Sequence, residues 1–383
     1  HTKRQNRMKK ILILGATGSI GASTLKVIKK YPSKFKISGV TANSNREKLK
    51  EIMKEFNVKN GALKHESIII TGANEKKSNQ DINEVFVNEL DYDIVVNGLV
   101  GSVGFLPTLK AIERDKIVAL ANKETIVAYG HIIKQALKKH PKSEIRPVDS
   151  EHSALWQLLE KVDRREIEKC YITASGGVPF KRKTDDLSLK DVLNHPVWSM
   201  GKKVTVDSST MVNKGLEVIE AFNLFNLKAE QIGVLIHPQS IIHAAILLKD
   251  GTYLSHMAIP DMVLPISYAL FYPERPKDLM IGKMKDMENY ELTLNAIDIK
   301  KHLSIKLAYY ALEKQMTYPA VYNAANEGAV SLFLKEKIKF KDIVLIIEKV
   351  MKEHIPSEKM TVKSIQDSEE WAKKRALEIG ENI

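Results

Sequence analysis

The chain has 383 residues, 44% of them hydrophobic, and its 59 Lys and Arg against 47 Asp and Glu give a formal charge of +12. That size buries a sizeable core over two or three domains. No apolar run reaches the roughly 18 residues of a membrane helix, since the nearest, Ile232 to Leu248, is broken by HPQS into two strands. The single cysteine, Cys170, excludes an intramolecular disulfide and suits a reducing, cytoplasmic location.

The charge raises the question of nucleic acid. Lys3, Arg4, Arg7, Lys9 and Lys10 supply much of the excess from the terminal tail, and the other lysines alternate with Glu and Asp as on solvated helix faces. No nucleic-acid or membrane partner is expected. The first residues, HTKRQNR, lack the apolar core of a secretory signal, and Met8 is expected to be the natural start.

From Lys10 to Val148, strand-like runs alternate with amphipathic segments: ILIL (11–14), FKISGVT (35–41), SIIIT (67–71), DIVVNG (93–98), IVALAN (117–122) and EIRPV (144–148). Such an alternation predicts a doubly wound, Rossmann-like α/β domain with a parallel sheet covered on both faces. GATGSIG follows the first strand and places Gly15, Gly18 and Gly21 where a tight turn opens a helix toward a pyrophosphate. At the end of the second strand stand Asn43, Ser44, Asn45 and Arg46, with no carboxylate before Glu47. A carboxylate there would select the ribose 2′-hydroxyl, so its absence predicts NADP(H), with Arg46 meeting the 2′-phosphate. ALANKET (119–125) puts Lys123 at a strand end, a ligand-contact position.

PVDSEHSALW (147–156) gathers Asp149, Glu151 and His152. On a continuing strand the two carboxylates share a face, a pairing that calls for a cation between them; a helix start capped by Asp149 or Ser150 explains the same letters. Residues 150–271 mix strands (CYITAS, VLIHP, IIHAAILL, TYLSHMA) with helices over 154–161 and 209–225, an α+β layer. Within it, TASGGVPF adds a Ser-Gly-Gly turn, NHPVWSMGKK offers His195 and Trp198, and VTVDSSTMVNKGLEVIEAF reads as a strand running into a helix with Asn213, Lys214 and Glu217 on one face. Lys214 and Glu217 alone read as an ion pair. With Asp149 and Glu151, Glu217 completes an all-oxygen set suited to Mg2+ or Mn2+ rather than Zn2+. The expected domains are 8–149 for NADPH, 150–271 for metal and substrate with a mobile lid over 175–202, a linker over 272–303, and four helices at 304–383 forming a small bundle.

GATGSIG, LANKE, PVDSEHSA, ASGG, HPVWSMG, DSSTMVNKGLE and PDM, in this order from Gly15 to Met262, together with YNAANE (322–327), resemble the 1-deoxy-D-xylulose 5-phosphate reductoisomerase family. Departures are small: Ser209 and Val212 stand where many relatives have Ala and Met, and NSN (43–45) replaces a common Gly-Lys/Ser-Asn variant. The resemblance implies NADPH- and metal-dependent rearrangement and reduction of a small-molecule sugar phosphate, in a homodimer. It implies Asp149, Glu151 and Glu217 as ligands of Mg2+ or Mn2+, and Lys123 and Ser150 near the reacting oxygens. It further implies Ser175, Ser208, Asn213 and Lys214 around the phosphate, with His195 closing over it, and Thr17, Gly18, Ser19, Ile20, Asn122, Glu124 and Gly201 at the coenzyme; to these the glycine turn and the end of the second strand add Gly15, Asn43, Ser44 and Asn45 for the coenzyme, and the NHPVWSMGKK loop adds Trp198 for the substrate. The rivals are another NADP-dependent dehydrogenase of a phosphorylated hydroxycarbonyl compound, and a nucleotide sensor without turnover.

Overall fold

A computed structural model describes residues 7–176, 187–193, 201–279, 291–299 and 302–383. The chain forms two compact units. One takes the described residues of His1–Thr125, Ile133–Ser153 and Asp261–Gly282; the other takes those of Ile126–Ile132, Ala154–Pro260 and Lys283–Ile383.

The first unit is built on β1 (Lys9–Leu14), β2 (Phe35–Ala42), β3 (Asn60–Leu63), β4 (Ile68–Thr71), β5 (Asn74–Lys77), β6 (Ile94–Asn97), β7 (Ile117–Leu120) and β8 (Glu144–Pro147). Its helices are α1 (Ser19–Lys30), α2 (Arg46–Glu55), α3 (Ile82–Glu89), α4 (Phe105–Glu113), the ends of α5 (Lys123–Lys139) and the start of α6 (Ser150–Leu159). The sheet order is β5-β4-β3-β2-β1-β6-β7-β8. From β3 to β8 the pairings are parallel, as the apolar, two-sided strands predict, while β4 and β5 add an antiparallel edge. The third parallel strand is therefore β3, NGAL, and not SIIIT, which becomes β4; a short run holding Asn60 and Gly61 carries too weak a pattern to be read. Because β1 lies between β2 and β6, the strand order reverses beside it, which is where doubly wound sheets open a ligand crevice.

The second unit holds β9 (Ile167–Ala174), α7 (Leu189–Leu193), α8 (Lys202–Ser209), α9 (Val212–Phe225), β10 (Ile232–Ile236), β11 (Ile242–Leu248) and β12 (Tyr253–Met257). After α10 (Val263–Phe271), which belongs to the first unit, come β13 (Asn295–Ala296) and the helices α11 (Leu303–Lys314), α12 (Tyr318–Leu334), α13 (Asp342–Glu353) and α14 (Val362–Glu381). The mixed sheet runs β12-β11-β9-β10-β13. Its core joins Cys170 and Ile172 to Leu216 and Ile219 of α9, Ala308 of α11 and Tyr322 of α12. Burial pushes the Cys170 thiol up to about 12, so it is an inert core residue.

α10 returns to the first unit because VLPISYALF is apolar nearly all round. Ile266, Ala269 and Leu270 are fully buried, Phe271 meets Tyr31 and Phe35 edge-on with centroids 4.9 Å apart, and Arg146 donates to the Ala269 carbonyl at 2.8 Å. The sequence reading overlooked this helix. Among the described residues, no helix is long and apolar enough to cross a membrane.

Candidate active site

The glycine turn lies at the carboxyl end of β1. Gly15 has φ +83°, and a Cβ there would stand 3.0 Å from the Gly98 carbonyl oxygen, so both conformation and space require glycine. The Gly15 and Ala16 amides donate to Thr41 O at 3.1 and 2.7 Å, tying the turn to the end of β2. A side chain at Gly21 would strike the Ala16 backbone, which fixes the close seat of α1. Gly18 caps α1 without any side-chain bond, leaving the amides of Ser19 and Ile20 at a bare helix N-terminus beside Thr17. Asn43, Ser44 and Asn45 follow β2, and Asn45 caps α2 by accepting from the Lys48 amide at 3.0 Å.

Arg46 departs from expectation. Its guanidinium donates to Glu75 at 2.7 and 2.9 Å and also to Glu66, so it does not stand open toward a phosphate. Those hydrogen bonds raise Arg46 above its ordinary value and hold both carboxyls below theirs.

At the carboxyl end of β7, Asn122 caps α5 by accepting from the Thr125 amide at 3.1 Å. Its amide donates to Leu99 O at 2.9 Å, Gly101 O at 2.8 Å and the Glu124 carboxylate at 3.2 Å, so Asn122 and Glu124 lock this loop to the one after β6. The next residue, Lys123, reaches the Asp149 carboxylate at 2.7 Å. Asp149 also accepts from Nδ1 of fully buried His152 at 3.1 Å. Burial pushes the Asp149 carboxyl up, but Lys123 and His152 outweigh it and hold the group well below the carboxylate range. Of the two readings of PVDSEHSALW, the structure shows the helix start. β8 ends at Pro147 and α6 begins at Ser150, so Glu151 sits in a helical first turn rather than on an extended strand, with the Ser150 hydroxyl bonded to its carboxylate. His152 was missing from the expected site residues; its i, i+3 spacing from Asp149 across a helix start is the signal that finds it.

In the second unit the segment before Met211 is not a strand. VTVDSS forms α8, Met211 turns the chain with φ +62°, and α9 starts at Val212. A left-handed conformation at a bulky residue is strained; the buried Met211 side chain and a 2.8 Å bond from Ser304 to Thr210 O hold it. As the spacing predicts, Asn213 and Lys214 both donate to the Glu217 carboxylate. Unlike a surface pair, Lys214 and Glu217 are 4% and 2% exposed, and removing one partner of such a pair costs about 3–5 kcal/mol. Ser208 lies on α8 after Asp207, a buried carboxylate that accepts from Lys203 and from Asn326 of YNAANE, each at 2.8 Å. Gly201 caps α8 and Ser175 follows β9. His195, Trp198 and most of the expected lid lie outside the described residues.

A glycine turn at the reversal point of a doubly wound sheet, with lysine–acid pairs in both units, defines the class as an α/β dinucleotide-binding enzyme. The comparisons narrow it. Residues 11–130 match the family model for 1-deoxy-D-xylulose 5-phosphate reductoisomerase, 145–225 match that enzyme's C-terminal domain, and 257–375 match the DXP reductoisomerase C-terminal domain. The curated 1-deoxy-D-xylulose 5-phosphate reductoisomerase of Thermodesulfovibrio yellowstonii is 41% identical over 98% of this chain and all of its own length. That of Chlorobaculum tepidum is also 41% identical, covering 97% of this chain and all of its own. Among solved structures, the Zymomonas mobilis enzyme in complex with NADPH superposes with a TM-score of 0.86 at 31% identity over 98% of this chain and all of that one. A DOX-P reductoisomerase complex with NADPH, fosmidomycin and magnesium gives 0.88 at 33% identity, over 97% of this chain and 98% of that one. The chain belongs to the 1-deoxy-D-xylulose 5-phosphate reductoisomerase family.

Proposed function

We propose that the chain rearranges and reduces 1-deoxy-D-xylulose 5-phosphate to 2-C-methyl-D-erythritol 4-phosphate, using NADPH and Mg2+ or Mn2+, in non-mevalonate isoprenoid precursor synthesis. The observation that carries this reading is identity of 41% to curated reductoisomerases over nearly the whole chain. The residues fit the groups they would hold. The uncapped start of α1 and the positive φ of Gly15 suit a pyrophosphate, and Asp149, Glu151 and Glu217 are the all-oxygen donors that would suit a hard cation. When bound, the ion supplies Lewis acidity toward the substrate oxygens and the coenzyme supplies the hydride.

The chain's own residues do the holding. Thr17, Gly18, Ser19 and Ile20 take the pyrophosphate, Asn43, Ser44 and Asn45 the adenosine ribose, and Asn122, Glu124 and Gly201 the nicotinamide end. Ser175, Ser208, Asn213 and Lys214 hold the substrate phosphate, and Lys123 and Ser150 approach the reacting oxygens. Fixing the phosphate orients the carbon chain, so its binding energy serves the rearrangement. To the same proposal belong the domain roles of 8–149 and 150–271, the linker over 272–303, the helical bundle and a lid over 175–202 that brings His195 and Trp198 over the substrate, which the residue pattern supports, a homodimer, which the resemblance supports, and a cytoplasmic location, which the single cysteine supports.

The test is a coupled requirement. Purified protein should oxidise NADPH only when deoxyxylulose phosphate and Mg2+ or Mn2+ are both present, and the product should be the branched methylerythritol phosphate. A linear pentitol phosphate would mean reduction without rearrangement and would refute the reading.

A further inference from the structure

The antiparallel edge of the first sheet does more than lengthen it. The turn between β3 and β4 is tied to the end of β2 and the residue after it by two backbone bonds, from the Lys64 amide to Ala42 O at 2.9 Å and from the His65 amide to Asn43 O at 2.8 Å. This brings Glu66, and across the hairpin Glu75 of β5, against Arg46, the first residue of α2. Glu66 takes the Nε and Nη2 side of the guanidinium, and Glu75 takes Nη1 with both of its oxygens. Lys50 adds a second cation 3.2 Å from Glu75. Two acids thus face two bases, and the loop expected to receive the adenosine ribose carries no surplus positive charge from Arg46.

We propose that Glu66 and Glu75 set the coenzyme selectivity of this chain by competing with the 2′-phosphate of NADPH for Arg46. The inference rests on the NADPH reading above and deepens it. The three side chains are 30–35% exposed, and ion pairs at that exposure are weak enough to exchange. An entering phosphate must displace a carboxylate from Arg46 or lie beside it, and either outcome costs NADPH affinity. NADH carries a hydroxyl at that position and meets no such competition. Arg46 therefore favours NADPH by less than an unpaired arginine would.

Binding constants for NADPH and NADH, read from nicotinamide fluorescence, test this without turnover. The proteins are wild type, Glu66→Gln, Glu75→Gln, the double variant, and each of these with Arg46→Gln, at low and high salt. Each single variant should tighten NADPH about threefold and the double variant about tenfold, with most of the gain lost at high salt. NADH affinity should not change, which also reports intact folding, and the gain should shrink when Arg46 is replaced. An unchanged NADPH-to-NADH ratio in the double variant, or weaker NADPH binding, overturns the inference and leaves the NADPH reading standing. Failure of the wild type to bind either coenzyme overturns that reading and the inference with it.

Discussion

Lys214 and Glu217 look in the sequence like any i, i+3 surface pair, and only their burial separates them from one. Replacing Glu217 by Gln should abolish most turnover, by at least about 100-fold, while leaving NADPH affinity near wild type, since the coenzyme residues lie elsewhere. Asp149→Asn and Glu151→Gln should behave alike; wild-type rates after chelation, or in all three variants, would refute the metal assignment. Lys214→Ala should raise KM and lower kcat together, with stability measured beside them because Glu217 is left buried and unpaired. At this scale the sequence was legible where spacing alone sets a contact, as it does for Asn213, Lys214 and Glu217. It was illegible where a residue acts through a distant partner: Asn326 lies 119 positions from Asp207, and Glu66 lies 20 from Arg46. The two acids on Arg46 could not be read, because a free cation and one held by two acids are spelled the same way.

Among the elements, α9 shows how tightly its functional face is set. A methyl on Gly215 would run into the Tyr322 hydroxyl and come within 3.1 Å of the Ala308 Cβ. Gly215→Ala should therefore destabilise the protein by about 1–3 kcal/mol despite the better helix propensity of alanine, and a higher unfolding midpoint would contradict the packing argument. β11 supplies a pH effect. Burial, together with the nearby Lys214 charge, pushes His243 down to about 4 from 6.5. Above pH ~6.5 the ring is neutral in both states and its contribution to stability is complete; as pH falls toward 4 the unfolded chain takes up the proton first. Stability should thus drop by up to about 1.4 kcal/mol per pH unit in that window, and His243→Asn should flatten thermal-melting curves measured between about pH 7 and 5. An equal slope in the variant would assign the effect elsewhere. The helices from α11 to α14 were readable because their period is plain. α8 was not, because VTV has β-branched residues and tertiary context overrides that preference. α10 escaped because Pro265 falls in its first turn and an unbroken apolar run shows no period.

Across the whole molecule, neither unit is continuous in sequence. The first gathers its residues from three stretches and closes its core with α10, which follows more than 100 residues of the second. The doubly wound alternation from β1 to β8 made the architecture readable, but nothing in local sequence announces that a helix from beyond residue 260 completes it. That return bears on how the protein is made. A ribosome releases residues 9–153 long before 263–271, so the growing chain must carry the apolar ground beneath Phe271, around Tyr31, Phe35 and Ile266's neighbours, bare to solvent while the intervening segment is translated. The nascent first unit should accordingly expose that patch until α10 is made. A fragment ending at Ser153 should bind a hydrophobic dye and sediment from solution, and a supplied peptide spanning 261–279 should suppress both; a soluble fragment that ignores the dye would show that early synthesis leaves nothing waiting.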